Sequence, residues 1–365
     1  MNKKILIVGS FPSFKNNSII GGIARSCSEI IDSKHFSNKV ILKIDSTTLT
    51  VPRPSLIIRL FFSINRVFKL IYILMCKQPS SVLVFCADGA SAIEKGVMII
   101  ISKAFGAKTL IFPRAGYLIN QVNKSKTFKL FIKALFQKTD LFLCQGEEWK
   151  SFASDVLKIQ NSKIKIIRNW TASNDLLSIG SNRKIKNSKD LRLLYVGWLI
   201  RDKGVQELLN VFKILINKGF NLSLTLVGDG NYREKIEDFA SVNKLNKYIK
   251  IEGWINRDKL KKFYQESDIF ILPSWKEGMP NALIESLATG LPSITTSVGV
   301  IEDNLNNNSD VVIVPPKNEN KLLKAIEMLI IDVNFRIKLS KNGLIQVKKK
   351  FSSEQNLKEL SMLLN

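Results

Sequence analysis

Two glutamates lie eight positions apart where an apolar strand meets an apolar helix. The strand covers residues 268–272, the loop after it contains Glu277, and the helix that follows has Glu285 in its first turns. Backbone N–H groups at a helix start lack intrahelical partners, and the helix dipole there favours an anion. Amides suit phosphates and carboxylates suit hydroxyl groups, and a nucleotide sugar carries both. These features together predict a nucleotide-sugar site.

The position of Glu285 on its helix has two interpretations. In the first, four apolar neighbours form a buried stripe, and Glu285 lies beside that stripe, near a cleft. The four neighbours are Leu283, Ile284, Leu287 and Ala288. In the second, Glu285 is a solvated carboxylate that only favours the dipole. The spacing alone is weak, but the order strand, Pro-Ser, Glu-Gly, Pro-Asn-Ala, Glu, Gly-Leu-Pro favours a functional site.

The composition fits a soluble-type chain of about two domains without a zinc centre. A chain of 365 residues with 45% hydrophobic residues is long enough for about two domains. The four cysteines are scattered and there is one histidine, so a zinc site or disulfide framework is not expected, and a reducing cytosol is the simplest compartment. The apolar run near residue 5 is too short for a signal peptide and predicts a first β-strand.

The positive charge is concentrated in the first half. The net charge is +24, and residues 1–185 carry 28 Lys and Arg against 10 Asp and Glu, whereas the remainder carries 27 against 21. This half is therefore expected to seek an anionic surface. Because no nucleic-acid motif accompanies the charge, we expect an anionic membrane and no nucleic acid.

Two basic and aromatic stretches, residues 59–77 and 126–138, could lie in a membrane interface. In the second stretch the apolar positions at helical spacing are Phe128, Phe131, Ile132 and Leu135. The alternative is that both are helices that pack on the core with lysines facing water. Neither has the roughly 20 apolar residues needed to span a bilayer. We expect peripheral contact without a transmembrane segment.

Strands alternate with helices along both halves, which predicts parallel sheets covered on both faces. The predicted strands are residues 3–10, 39–45, 81–86, 108–112, 141–145 and 163–169 in the first half, and 191–197, 223–230, 249–254, 268–272 and 293–296 in the second. A polar stretch, residues 178–190, is interpreted as a linker. We predict two doubly wound, Rossmann-like domains, residues 1–180 and 181–345, facing across a cleft. A C-terminal helix over residues 346–365 is expected to pack back on the first domain.

The second half resembles the retaining glycosyltransferases of family 4, which have the GT-B fold. The resemblance covers about residues 191–316 and rests on VGWLIRDKG, LVGDG, EGW, the Glu-x7-Glu pair and Gly-Leu-Pro in this order. Members of this family transfer a sugar from a nucleotide diphosphate sugar and retain its anomeric configuration. The resemblance implies the same two-domain α/β fold for this chain. Because the chain has no histidine cluster and no paired-aspartate motif, we expect no metal and no cofactor besides the donor substrate.

The resemblance also implies roles for particular residues. Glu285 would bind the ribose hydroxyls of the donor, and Glu277 would contact hydroxyls of the transferred sugar. Lys203 would neutralise the diphosphate as it leaves. The amides around four further residues would hold phosphate or sugar oxygens; these residues are Gly278, Met279, Pro280 and Asn281.

Three glycines and an arginine complete the expected donor site. Gly197 ends a strand, and Gly21 and Gly22 would let the first domain approach the phosphates, although an ordinary loop before a helix is an equal alternative. Family members often have an arginine after the Val-Gly of the first strand in this half. Here that position is Trp198, so Arg201 is expected to supply the contact.

The first domain offers two candidate acceptor contacts. Arg114 stands in a Pro-Arg-Ala-Gly loop where many family members have a histidine, and Asp88 follows another strand. Asp88 would bind an acceptor hydroxyl or cap the next helix. The one histidine, His35, is expected at the surface. The lack of a histidine base fits a front-face reaction, in which the leaving phosphate oxygen takes the acceptor proton.

The leading hypothesis is a retaining transferase in surface polysaccharide synthesis, of O-antigen or capsule. It would move a hexose or N-acetylhexosamine to a lipid-linked saccharide at the inner face of the cytoplasmic membrane. One alternative is a nucleotide-sugar epimerase or hydrolase on the same fold, and another is a non-enzymatic basic surface-binding protein. A nicotinamide oxidoreductase is disfavoured, because the first turn lacks G-x-G-x-x-G.

Overall fold

The computed structural model describes residues 3–11, 22–47, 54–188 and 190–365. Within it the chain forms two compact units. The first unit contains Met1–Trp170 and Glu354–Asn365, and the second contains Thr171–Ser353. Gly21, one of the predicted phosphate-binding glycines, lies outside the described residues.

Each unit contains a six-stranded sheet in which every paired strand is parallel. The first sheet has the order β2-β1-β3-β4-β5-β6, and the second has the order β12-β11-β10-β7-β8-β9. The strands are β1 Lys4–Gly9, β2 Val40–Asp45, β3 Ser81–Cys86, β4 Lys108–Pro113, β5 Leu141–Cys144, β6 Ile164–Ile166, β7 Leu191–Val196, β8 Leu222–Val227, β9 Ile249–Gly253, β10 Ile269–Leu272, β11 Ser293–Thr296 and β12 Val312–Val314.

Helices connect the strands, as parallel pairing requires. The α-helices are α1 Gly22–Asp32, α2 Leu56–Lys77, α3 Ala90–Ala104, α4 Tyr117–Lys124, α5 Lys126–Phe136, α6 Glu147–Ser151, α7 Asn174–Ser181, α8 Val205–Asn217, α9 Arg233–Val242, α10 Arg257–Glu266, α11 Asn281–Ala288, α12 Ile301–Asn304, α13 Glu319–Ile331, α14 Val333–Phe351 and α15 Ser353–Leu363. Short 3-10 turns occur at Lys34–Phe36, Asn161–Lys163 and Arg201–Lys203, and a π-helical turn at Phe152–Val156.

The C-terminal helix α15 completes the core of the first unit. Alternate side chains of β1 and β3, such as Ile5 and Phe85, point to one face of the sheet. Leu357, Leu360 and Leu364 pack in the same cluster, together with residues of α1. The core on this face is therefore closed by residues from the two ends of the described chain.

The unit boundary differs from the predicted one. The division falls between residues 170 and 171 rather than after residue 180, because α7 packs on α11 and α14 of the second unit. The stretch predicted as a linker is also tied to the second unit. There the guanidinium of Arg183 donates hydrogen bonds to the carbonyls of Tyr264, Ser267 and Thr289.

The helix predicted over residues 346–365 is in fact two helices. α14 runs through to Phe351 in the second unit, and a new helix, α15, starts at Ser353. Among the described residues, no helix combines the length and the apolar character needed to cross a membrane.

We predict that Leu360→Ala will lower the free energy of unfolding by about 2–5 kcal/mol, because it removes a fully buried side chain and leaves a cavity. Met362→Ala, on the exposed side of the same helix, should change it by less than about 0.5 kcal/mol. Denaturant unfolding followed by circular dichroism compares the two variants. Equal, small effects would mean that α15 does not stabilise the first unit.

Candidate active site

The loops after β7 and β10 are pressed together in the second unit. Gly204 has a φ of +69°, and a Cβ atom there would lie 2.0 Å from the carbonyl oxygen of Pro273. The backbone N–H of Trp275 donates a hydrogen bond to the carbonyl of Asp202 at 2.8 Å. This contact brings the loop with Lys203 against the loop with Glu277.

Lys203 and Glu277 form an ion pair at this contact. Lys203 Nζ lies 2.6 Å from Glu277 Oε1, and the hydroxyl of Ser274 donates to the same oxygen at 3.0 Å. Both charged side chains are largely enclosed. No described residue donates a hydrogen bond to the other oxygen, Oε2. Two of the predicted catalytic residues are therefore brought together, with one carboxylate oxygen left for another donor.

A second contact fixes the loop from the opposite side. Gly299 has a φ of +57°, and a Cβ atom there would lie 2.1 Å from the carbonyl oxygen of Gly278. That carbonyl accepts a hydrogen bond from the N–H of Val300 at 3.0 Å. The Glu277–Gly278 segment is thus held between two close backbone approaches.

Tyr195, at the end of β7, is a buried neighbour of the ion pair. Its hydroxyl donates to the carbonyl of Trp198 at 2.7 Å. Burial, and then the negative charge of Glu277, raises the pKa of Tyr195 well above its usual value. The phenol consequently stays neutral and holds the turn after Gly197.

The alternative interpretation of Glu285 as a solvated carboxylate is wrong. Glu285 is only 5% exposed, and each residue from Leu283 to Ala288 is buried, because α11 is surrounded by α7, α14 and the sheet. Its Oε2 atom accepts a hydrogen bond from the hydroxyl of buried Tyr264 at 3.0 Å. The carboxylate is therefore oriented by a residue that the sequence did not suggest, since Tyr264 follows no polar motif.

The other predicted amides lie in the loop before α11 and at its first residue. Gly278, Met279 and Pro280 are buried in the loop before it, and Asn281 is the first residue of the helix. Pro280 is the N-cap, and its own side chain makes no capping hydrogen bond. The helix start therefore has the character expected for an anion site.

Arg201 and Trp198 lie in different surroundings, and Arg201 is next to the loop that contains Glu277. Its guanidinium stands 5.6 Å from the ring centre of Trp275, and the ammonium of Lys317 stands 4.4 Å from the same ring. Trp198 instead packs edge to face on Trp254, with 4.7 Å between ring centres. Two cations thus flank an aromatic ring two residues before Glu277.

The candidates of the first unit lie after β1, β3 and β4. Arg114 is stacked over the rings of Phe112 and Trp170, at 4.9 and 5.4 Å, and its Nη2 atom donates to Ser26 on α1 at 3.0 Å. Its Nη1 atom is enclosed and has no hydrogen-bond acceptor among the described residues. Burial lowers the pKa of Arg114 to about 10, which leaves the guanidinium charged at neutral pH.

Gly22 and Asp88 lie at or just before the starts of two helices. Gly22 is the first residue of α1. Asp88 is half-buried, and the interpretation that it caps α3 is wrong, because Gly89 is the N-cap and no side chain makes the capping hydrogen bond. In the part of the chain that the structure describes, no three His, Cys, Asp or Glu side chains are grouped as metal ligands.

Comparison with known proteins points to one class of enzyme. Residues 180–345 match the family model described as glycosyl transferases group 1. A glycosyltransferase is the class that this match supports. The chain is also 30% identical over 266 residues to the Staphylococcus aureus capsular polysaccharide biosynthesis glycosyltransferase CapM, with 66% of each chain covered. It covers 66%, 56% and 60% of the lengths of three such relatives.

Two solved structures share the fold over nearly the whole chain. Sucrose-phosphate synthase from Thermosynechococcus elongatus aligns with a TM-score of 0.76 at 17% identity, covering 99% of this chain and 98% of that one. Anabaena HepE in complex with UDP aligns with a TM-score of 0.73 at 12% identity, covering 99% of both chains. The predicted fold class, GT-B with two doubly wound parallel-sheet domains, is confirmed.

We predict that Gly204→Ala will disrupt the site, because a Cβ atom cannot fit against the Pro273 carbonyl without moving the backbone. Gly219→Ala is the matched control, since Gly219 also has a positive φ (+84°) but a Cβ atom there would have no neighbour within 4 Å. Both changes incur backbone strain, so the clash should make Gly204→Ala less stable by at least about 2 kcal/mol. Denaturant unfolding of both variants measures the difference, and equal losses would contradict the close approach.

Proposed function

We propose that the protein is a retaining glycosyltransferase of family 4 that uses the Glu277–Lys203 pair and Glu285 of the Glu-x7-Glu motif. The observation that carries this proposal is the 2.6 Å ion pair held by the Gly204–Pro273 contact. The transferred sugar of a nucleotide sugar is bonded directly to its diphosphate, so a cation and a carboxylate fixed side by side can contact both groups.

Lys203 would stabilise the leaving diphosphate. Its ammonium is largely enclosed, where the attraction to a developing negative charge is stronger than in water. The α11 start would add backbone N–H groups and the positive end of a helix dipole. Arg201, 5.6 Å from the Trp275 ring, would supply the phosphate contact that Trp198 cannot make.

Glu277 would position the transferred sugar. Its Oε1 atom is already taken by Lys203 and Ser274, which fixes the carboxylate plane and leaves Oε2 for a sugar hydroxyl. Glu285 would accept hydrogen bonds from the ribose hydroxyls, with Tyr264 setting its orientation. The UDP complex of HepE supports a nucleotide donor for this fold.

The proposed reaction needs no protein side chain as a base. The bond between the anomeric carbon and the phosphate oxygen breaks, and the acceptor oxygen forms its bond to that carbon on the same face. The acceptor hydroxyl proton passes to the departing phosphate oxygen. The two acceptor candidates, Arg114 and Asp88, would bind the acceptor and are not required as proton carriers.

The acceptor and the pathway are inferred from the relatives. CapM is a capsular polysaccharide enzyme, which supports surface polysaccharide synthesis for this chain. For such a pathway we propose a hexose or N-acetylhexosamine donor and a lipid-linked saccharide acceptor. This acceptor would place the protein at the inner face of the cytoplasmic membrane.

Glu277→Gln should lower kcat by about 10²–10³-fold while nucleotide binding is retained, because the neutral amide loses the charge that orients Lys203 and the sugar. The assay measures release of nucleoside diphosphate with and without saccharide acceptors, beside an exposed control, Glu266→Gln. Unchanged turnover in Glu277→Gln would refute the proposed role. Release that never depends on an acceptor would indicate a hydrolase instead.

Nucleotide binding should be visible as thermal stabilisation. Among UDP, GDP, their sugars and NAD, we expect one nucleoside diphosphate and its sugar to raise the melting temperature. Glu285→Gln should lower the affinity for this ligand by about 10–100-fold, since hydrogen bonds to a charged group contribute about 1.5–3 kcal/mol. Stabilisation by NAD alone, or by no nucleotide, would contradict the transferase proposal.

A further inference from the structure

The outward side of α2 is apolar along its whole length. Its inward side packs on the core through Leu70, Ile73 and Leu74. The opposite side carries large apolar residues at helical spacing, and all of them are exposed: Ile57, Phe61, Ile64, Phe68, Tyr72 and Met75. Phe61 and Phe68 are each 67% exposed. A soluble protein rarely leaves such a continuous apolar stripe uncovered without a partner.

Two neighbouring helices extend this stripe into a surface. α2 packs on α3, and α3 packs on α5. α3 exposes Ile93, Val97 and Ile100, and α5 exposes Leu130 and Phe131. These residues of α3 and α5, together with the exposed apolar residues of α2, are called the α2–α3–α5 face below. The face belongs entirely to the first unit.

Basic residues predominate around this face. α2 contributes Arg59, Lys69 and Lys77, and α5 adds lysines at positions 126, 129 and 133. Lys103 of α3 adds no net charge, because its ammonium lies 2.5 Å from Asp140. The acidic residue of these three helices, Glu94, is already paired, because Arg66 donates to it twice, at 2.7 and 3.1 Å, and Lys95 lies 3.0 Å away. The face is therefore apolar with a basic surround.

We propose that the α2–α3–α5 face docks on an anionic phospholipid bilayer, with the apolar side chains among the acyl chains and the lysines at the headgroups. Helices with this division of residues lie in the plane of a membrane interface. A second copy of the chain fits less well, because a two-fold interface would set the same basic groups against each other. The proposal specifies the membrane partner of the proposed transferase, but docking itself does not depend on the transfer reaction.

The structure changes the surface that the sequence predicted. The sequence placed Phe128, Phe131, Ile132 and Leu135 on one apolar side of α5. Ile132 is buried in the core and Phe128 and Leu135 are half-buried, so Phe131 reaches lipid together with Leu130. The sequence analysis did not single out α3, which lies between α2 and α5 and supplies the centre of the face.

The first test compares two double variants for binding to vesicles. Phe61→Ser with Phe68→Ser removes two exposed rings of the face, and Val242→Ser with Ile331→Ser removes two side chains, 80% and 74% exposed, from the second unit. With vesicles of about 30% phosphatidylglycerol in phosphatidylcholine, co-sedimentation of the first variant should fall at least about tenfold, and that of the second should not change. Raising the salt concentration should weaken wild-type binding.

The second test uses Cys76, the exposed cysteine of the chain, which lies on α2. The other three cysteines are buried, and burial raises the pKa of the Cys27 and Cys86 thiols to about 12, so they react little with a thiol reagent. A polarity-sensitive fluorophore on Cys76 should shift to the blue when the anionic vesicles are added. The same fluorophore on Val242→Cys in a Cys76→Ser background should not shift.

Several results would overturn the proposal. One is equal vesicle binding by both double variants, and another is a Cys76 fluorophore that stays in water at saturating lipid. A third is a wild-type protein that forms a dimer without lipid, as seen by light scattering, and does not bind vesicles. In that case the Phe61→Ser and Phe68→Ser changes would dissociate the dimer. Nucleotide-induced thermal stabilisation, measured on the same variants, keeps a failure of docking separate from a failure of the transferase proposal.

Discussion

The contact between Gly204 and the Pro273 carbonyl is the constraint on which the candidate site depends. Because a glycine without a side chain stands there, two strand-end loops approach to a distance that any Cβ atom would prevent. The ion pair of Lys203 and Glu277, the Ser274 hydrogen bond and the placement of Trp275 all follow from that approach. The site is thus determined first by backbone geometry and only then by charged side chains.

Much of this arrangement could be predicted because parallel sheets have a strong sequence signal. Strands buried on both faces give unbroken apolar runs, and eleven of the twelve strands in the described part of the chain coincide with predicted ones within a few residues. The short strand β12, Val312–Val314, was missed because a run of three apolar residues is too short to indicate a strand. The family resemblance placed Lys203 and Glu277 in one donor site, but the pairing of β7 with β10 that brings them together is seen only in the structure.

The parts that could not be predicted depend on contacts between distant residues. The burial of Glu285 results from α7 and α14 packing around α11, and neither partner is evident from local periodicity. Its hydrogen-bond donor, Tyr264, follows Phe263 on a helix whose other residues are mostly charged. Similarly, the polar stretch after α7 has linker composition, yet Arg183 binds three carbonyls of the second unit.

The membership of α15 in the first unit has a consequence for biosynthesis. Leu357, Leu360 and Leu364 belong to a core whose other members are translated before residue 171. The second unit lies between them in the chain, so its core can be complete on the ribosome while the first unit still exposes one face of its sheet. The first unit can therefore complete its core only after α15 has been synthesised. A nascent chain stalled before residue 353 would therefore present a folded second unit and a chaperone-binding surface on the first.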